Sequence, residues 1–391
     1  QPAAVRGAAI GPRSDAMSRP AAPRGAGEGR RNAGPGIRRR TLLAAASTGL
    51  AGPAGIAGCT ASDPAPTVPE PPVTGNPVVV APVRAAAVLT AYDVTADRPG
   101  MAAALREIWR RLAGTTATVA VGASLFDGRY GLPAPRLLTP MPAFRADVLD
   151  PRWCHGDLLV QLVGDAPEPL RRLAREPVPG LRPRWSIEGF HPTPPGQPVR
   201  NLFGFIEGTG NPDAADRELM SRLVWVQPGD DEPDWCVGGT YQVVRLIRMA
   251  LPNWEADPVE VQERIIGRRR ETGAPLGANR ADAEPDYASD PEGRVIALDA
   301  HIRRANPRTP QSEAHRILRR SYSYRRPPEV PGVADVGQIF VCYQRDVERG
   351  FATIQRRLAG EALERYTLPF GGGYYFVLPP SGVEPLLDST E

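Results

Sequence analysis

In NLFGFIEGTGNP, residues 201–212, one carboxylate, Glu207, stands among Gly204, Gly208 and Gly210, and Asn211-Pro212 follows. Glycine reaches backbone conformations closed to other residues, so such a loop can pass close to a ligand and aim its single acid. The chain has only four histidines, His155, His191, His301 and His315. None has a second His four residues on, and no Cys/His cluster has zinc spacing, which argues against a zinc site. GTGNP lacks the Lys-Ser/Thr that closes a phosphate loop and reads as a turn, and no nucleophile elbow occurs. What remains is one acid, one imidazole and one guanidinium in separate segments: Glu207, His301 in DAHIRRANPR, and Arg319 in RILRRSYSY. Each alone reads more readily as scaffold than as a site residue. Together they suit a porphyrin iron, which needs a single protein ligand on one face and a proton handler with a charge stabiliser on the other.

The elements that must position these residues alternate strand and helix. Residues 85–94 read as a strand, 100–114 as an amphipathic helix and ATVAVGASLF as a strand. GDLLVQLVG, EPLRRLARE and RPRWSIEGF repeat the pattern. The second half offers a strand at 239–251, a helix in PVEVQERIIGRRR, the strand GQIFVCYQRD, the helix ERGFATIQRRLAG and the strand GGYYFVLP. Helices with one apolar stripe, such as Phe351, Ile354 and Leu358, fit one face of an antiparallel sheet. The fold class expected is α+β, a duplication of two ferredoxin-like halves with antiparallel sheets and helices. A segment at about 265–335, rich in Arg, Asn, Pro and acids, interrupts the second half. Long insertions in a regular scaffold tend to be functional.

At 391 residues the chain can enclose a sizeable ligand. All 47 basic residues are Arg. Residues 1–59 hold nine Arg against Asp15 and Glu28, a surplus of seven, so with a whole-chain charge of +3 the remainder carries −4. A mildly acidic body argues against nucleic acid as partner. Within the leader, Arg38-Arg39-Arg40 precede TLLAAASTGLAGPAGIAG, a run too broken by Gly and Pro for a spanning helix but suited to a removable signal. Arg39-Arg40-Thr-Leu-Leu resembles a twin-arginine signal. IAGC at 56–59 has the form of a lipoprotein cleavage box, which would leave Cys59 lipidated, and Met17 could be the start. The reading is thus a signal over 1–59, a Pro-rich linker over 60–78, and halves at 79–200 and 201–391. Cys154, Cys236 and Cys342 show no paired spacing and read as buried free thiols.

NLFGFIEGTGNP, AHIRRANPR, RILRRSYSY, FVCYQRD and LPFGGGYYFVLP, in this order over about 80–391, resemble the dye-decolourising haem peroxidases of the exported twin-arginine branch, which includes deferrochelatase/peroxidases of iron import. The resemblance implies haem b in the second half, with His301 as proximal iron ligand and Arg319 as distal arginine, Arg320 being the fallback. The family loop is Gly-Phe-x-Asp-Gly, whose aspartate is the distal acid-base; here Glu207 takes that place, with Gly208 letting the backbone pass over the porphyrin. Glu207 would shuttle a proton on hydrogen peroxide while Arg319 stabilises the departing oxygen. Asp346 is the carboxylate expected behind His301. Trp235, Tyr322 and Tyr324 are either electron relays or core aromatics.

The activity expected is therefore an exported haem b peroxidase that reduces hydrogen peroxide and oxidises dyes or phenolic donors by one-electron steps. Two alternatives stand beside it: a deferrochelatase that releases iron from haem for iron uptake, and a haem-binding or electron-transfer lipoprotein with little turnover. The expected partners are hydrogen peroxide, a small-molecule electron donor and iron-import components. Membrane contact is expected only through the lipid anchor, and homo-oligomers are compatible with the reading.

Overall fold

The computed structural model describes residues 74–389 apart from 195, 329 and 330. The expected signal, Cys59 and the linker up to residue 73 lie outside these. Packing has already begun at Gly75, earlier than Val79: a Cβ at Gly75 would sit 2.2 Å from the Trp225 ring.

Four strands of the first half, β1 (Ala86–Val94), β2 (Ala117–Gly122), β3 (Leu158–Gly164) and β4 (Leu181–Phe190), pair antiparallel in the order β2-β3-β1-β4. The second half holds β5 (Thr240–Met249), the two-residue β6 (Leu318–Arg319), β7 (Tyr322–Arg326), β8 (Asp335–Gln344) and β9 (Thr367–Val377). Its order is β7-β8-β5-β9, with β6 also on β8. In each half the first and third long strands are central and the second and fourth are edges, the ferredoxin-like order.

The two sheets are not separate, as the alternation of elements had suggested. β2 pairs with β9 from Ala120↔Val377 to Gly122↔Tyr375, and β4 meets β7 at Phe190↔Ser323, so eight strands close into a ring. Closure gives the edge N–H and C=O groups partners that an open sheet would leave to water or to another chain.

Because strand residues alternate sides, the ring has two cores. Leu89, Ala120, Trp185, Val244, Ile339 and Tyr375 form a cluster inside it. Val160, Val243, Cys342 and Phe376 face outward under helices. In the first half the covering helix is Arg98–Leu112, capped by the Asp97 carboxylate on the Gly100 N–H and ending on Arg110 and Arg111, which suit its C-terminal dipole. Its Met101, Ala104, Leu105 and Ile108 are buried at three- and four-residue spacing. In the second half the covering elements are Val259–Ile266, His301–Ala305, and a π-helical turn, Glu348–Ala352, running into Thr353–Leu358. The three cysteines are free and buried, as expected. No helix among the described residues is long and apolar enough to cross a membrane.

Candidate active site

On the outward face of the second-half sheet the core gives way to a cavity of ≈ 290 Å³. β5 contributes Arg245, Ile247 and Met249, and β8 contributes Gln338 and Phe340, the alternate residues that face away from the ring interior. The helices His301–Ala305 and Thr353–Leu358 form the opposite wall with His301, Ile302, Ile354 and Leu358. Glu207, Gly208, Arg319 and His301, from three separate segments of the sequence, all line this one space.

The loop that carries Glu207 is braced on both sides. Glu207 N–H donates to the Val199 carbonyl at 2.8 Å, and Arg200 Nη1 donates to the Gly204 carbonyl at 2.8 Å. Gly204 has φ +87°, and a Cβ there would lie 2.4 Å from Arg270 Nε, so only glycine fits without moving that side chain. Gly208, at φ +78°, turns the chain just after the acid. The Glu207 carboxylate accepts a hydrogen bond of 3.1 Å from Gln338 Nε2. Burial pushes its pKa above the ordinary carboxylate value, opposed by the charge of Arg319 and by hydrogen bonds from Asn201 and Gln338.

GTGNP does more than turn. Arg319 Nη2 donates to the Thr209 carbonyl at 2.7 Å, Arg319 Nε and its N–H both donate to Asn211 Oδ1 at 3.2 Å, and Asn211 Nδ2 donates to the Arg319 carbonyl at 2.9 Å. The loop that carries the acid therefore also clamps the guanidinium. Burial draws down the proton affinity of Arg319, and the Glu207 charge partly restores it. Arg320, one residue on, points to the other side, where it bonds the Val79 and Val80 carbonyls at 3.2 Å. It is no substitute for Arg319.

His301 opens its short helix. Its Nδ1 lies 2.8 Å from Glu361 Oε2, with the Glu361 side chain 9% exposed. The carboxylate fixes Nδ1 as the donor, which leaves Nε2 as the lone-pair nitrogen. Arg304 ties the same helix to the Arg357 and Ala359 carbonyls at 2.7 and 2.8 Å, holding it against the segment that presents Glu361. Asp346 does not have the role expected of it. Its carboxylate accepts from the Arg349 N–H at 2.8 Å, and it lines a separate, larger cavity.

The other histidines are scaffold. His155 accepts at its carbonyl from Trp185 Nε1 and Tyr375 Oη, both at 2.9 Å. His191 stacks on Tyr322 with centroids 4.6 Å apart, and burial lowers its pKa to about 4. His315 bonds the Arg349 carbonyl at 2.6 Å from a turn. Trp235, Tyr322 and Tyr324 are 5%, 4% and 0% exposed and pack in the two cores.

With this geometry in hand, the N-terminal part of the Dyp-type peroxidase family matches residues 110–191 and its C-terminal part residues 198–382. A deferrochelatase of Escherichia coli strain K12 is 47% identical over 276 residues, 68% of this chain. This chain belongs to the DyP-type peroxidase family. The match spans 65% of the deferrochelatase's own length. Among solved structures, a DyP-type peroxidase from Cellulomonas bogoriensis superposes with a TM-score of 0.71 at 32% identity, covering 81% of this chain and 96% of that one. The ferric form of DtpA from Streptomyces lividans gives the same four figures.

Four residues of the site escaped sequence reasoning. Gln338 lay in a strand read only for its apolar residues, although its even-numbered neighbours Phe340 and Cys342 mark the outward face. Glu361 follows a helix-ending glycine 60 residues beyond His301, with no local signal linking the two. Thr209 and Asn211 were visible but carried no sign of what they would hold.

Proposed function

We propose that the cavity binds haem b and that this chain removes the iron with the ring left intact, the reaction named in its 47%-identical relative. Hydrogen peroxide reduction with one-electron oxidation of a small donor is the second reading, favoured by the pairing of Glu207 with Arg319 and by the 32%-identical peroxidase. The observation that carries haem is convergence: an imidazole with Nδ1 already engaged, a raised-pKa carboxyl and a clamped guanidinium share one cavity with apolar walls. The fit has a further support. Arg268, 5% exposed and lining the cavity, has a buried Nε with no partner, a donor suited to an anionic ligand. Bound there, haem would supply an iron that exchanges electrons, and His301 would hold it.

The side chains then have definable tasks. Glu361 keeps the His301 imidazole oriented, with Nδ1 turned toward the carboxylate. In iron removal, two protons must replace the metal on the ring nitrogens, and Glu207 is the carboxyl that burial has made ready to carry them. In peroxide reduction, the ionised Glu207 takes a proton from the peroxide and returns it to the outer oxygen, which leaves as water. Arg319 stabilises the charge on that oxygen, a contribution of about 3–4 kcal/mol for one well-placed donor in a dry site. Gln338 sets where the acid can reach in both.

The two reactions part cleanly in one experiment. Haem-loaded protein is incubated with a reductant and a ferrous chelator, and separately with peroxide and a phenol. Free-base porphyrin fluorescence with one chelated iron per haem supports iron removal. Oxidised phenol with no porphyrin released makes peroxidase the activity, and neither product would leave a haem-binding protein. We further propose export by the twin-arginine route, from Arg39-Arg40 and a site assembled from distant segments that must fold first. Replacing both by Lys should retain the precursor inside the cell by fractionation; normal export would refute the route.

A further inference from the structure

The hairpin that carries Glu207 presents a second polar side chain on the same face. Arg200 and Ile206 sit opposite each other in an antiparallel bridge, Glu207 N–H donates to the Val199 carbonyl at 2.8 Å, and Asn201 N–H donates to the Phe205 carbonyl at 3.0 Å. Opposed residues in such a pair share a face and their neighbours take the other, so Asn201, Phe205 and Glu207 project together, away from Arg200. Asn201 and Glu207 both line the cavity. The Asn201 amide is not free to turn, because its Oδ1 accepts from the Phe205 N–H at 3.2 Å. With that oxygen engaged, Nδ2 is the end left to face the acid.

The sheet offers the same chemical group. Gln338, on the outward face of β8, donates from Nε2 to Glu207 Oε1 at 3.1 Å. One amide thus comes from the base of the acid's own hairpin and the other from the strand beneath it. An ionised carboxylate only accepts, whereas a neutral one must also place a proton, and Oε1 is already engaged by a donor. We infer that Asn201 is a positioning residue for Glu207 and that, with Gln338, it forms a two-amide cradle that fixes the carboxyl toward the cavity and leaves Oε2 as the oxygen that carries the proton. Glutamate has one more rotatable bond than aspartate, and two donors on its carboxyl remove that freedom. The inference deepens the reading above by naming what holds the acid of that site. Burial raises the proton affinity of Glu207, and the groups that oppose it are Arg319 on the short strand, the two amides, and His301 on the facing helix.

The test follows the protonated carboxyl band of Glu207 across pH by infrared difference spectroscopy on the full chain, the band being identified by its loss in Glu207→Gln. Asn201→Ala and Gln338→Ala each remove one donor to the carboxylate. Each should move the midpoint up by about one pH unit or more, the scale of a hydrogen bond to a charged group. In haem-loaded protein the pH at half-maximal peroxide rate should move by the same amount. Should Asn201→Ala not fold, wild type labelled with ¹⁵N-asparagine takes its place: the Asn201 side-chain N–H resonances should titrate with the Glu207 midpoint and stand still in Glu207→Gln. A midpoint unchanged in Asn201→Ala, or amide resonances that ignore the titration, would show that Asn201 only ties the hairpin through Phe205 and would overturn the inference. Shifted midpoints with an unchanged peroxide profile would uphold the cradle and count instead against Glu207 as the base of that reaction.

Discussion

Against the outward face of the first-half sheet, the helix Arg98–Leu112 lays down Met101, Leu105 and Ile108, and nothing larger than a side chain fits between them and the strands. The second half has the same strand order and its own helices, but the corresponding layer is interrupted. The insertion expected at about 265–335 contains β7, a strand of the sheet itself, so the added segment runs from the end of the helix Val259–Ile266 to β6. It places His301 and Arg319 and leaves Ile354 and Leu358 facing a cavity instead of a filled core. One ferredoxin-like half is thus a closed sandwich, and the other is the same sandwich wedged open. The duplication supplies a rigid ring, and the insertion supplies chemistry that needs three segments held from different sides.

The largest effects follow from that contrast for the Glu207 loop and the short strand bonded to it, which carry the acid and the guanidinium of the open half. In haem-loaded protein Arg319→Leu removes the clamped charge and should slow reaction with peroxide by roughly 10²–10³-fold. Glu207→Gln should cost roughly 10²-fold or more by removing the base while keeping the Gln338 contact. Stopped-flow absorbance checks both, and a Glu207→Gln rate equal to wild type would make the acid a spectator. Because the pKa of Glu207 lies above its ordinary 4.5, the ionised form appears only as pH rises through the raised value. The peroxide rate should climb there and be flat in Glu207→Gln. The same shift means that the folded protein binds this proton more tightly than the unfolded chain. Its stabilising effect is fully present below the ordinary value and fades as pH rises through the raised one. Thermal unfolding across acid pH should lose this component in Glu207→Gln.

A smaller effect is expected behind the imidazole. Glu361→Gln keeps a hydrogen-bond partner for His301 but not the charge, and should weaken haem retention by roughly tenfold and raise the iron reduction potential. Transfer to apomyoglobin and potentiometry read the two; an unchanged potential would show that Glu361 is only a spacer.

Much of the scaffold was legible because period-two and amphipathic patterns are local: all four first-half strands and both helices begin or end within a few residues of where the sequence places them. Ring closure was not, since the β2–β9 and β4–β7 seams join strands that carry no mark of their partners. The site divides the same way. Glu207, His301 and Arg319 stand in recognisable motifs, whereas Glu361 matters only because a helix end brings it to His301. Asp346 was chosen for the same task on the general need for an acceptor, and chain distance gave no means of telling the two carboxylates apart. Arg268 sat unremarked in a run of three arginines, its burial set by the insertion folding over it.

The least effect on chemistry and a clear one on stability should come from the closed half. Leu105→Ala should cost about 2–5 kcal/mol of folding free energy with haem binding unchanged in the molecules that remain folded. Leu358→Ala, on the cavity wall, should cost the apoprotein far less. Denaturant melts compare them, and equal losses would mean that the second half is filled after all.

The central claim is that His301, oriented by Glu361, is the protein's hold on haem iron. It is tested most directly by His301→Gly, loaded with haem and titrated with free imidazole while the ferric absorbance and electron paramagnetic resonance spectra are recorded. The account predicts loss of the wild-type spectrum and its return as imidazole fills the space left at Glu361. A His301→Gly protein that binds haem with the wild-type spectrum and no added imidazole would contradict it.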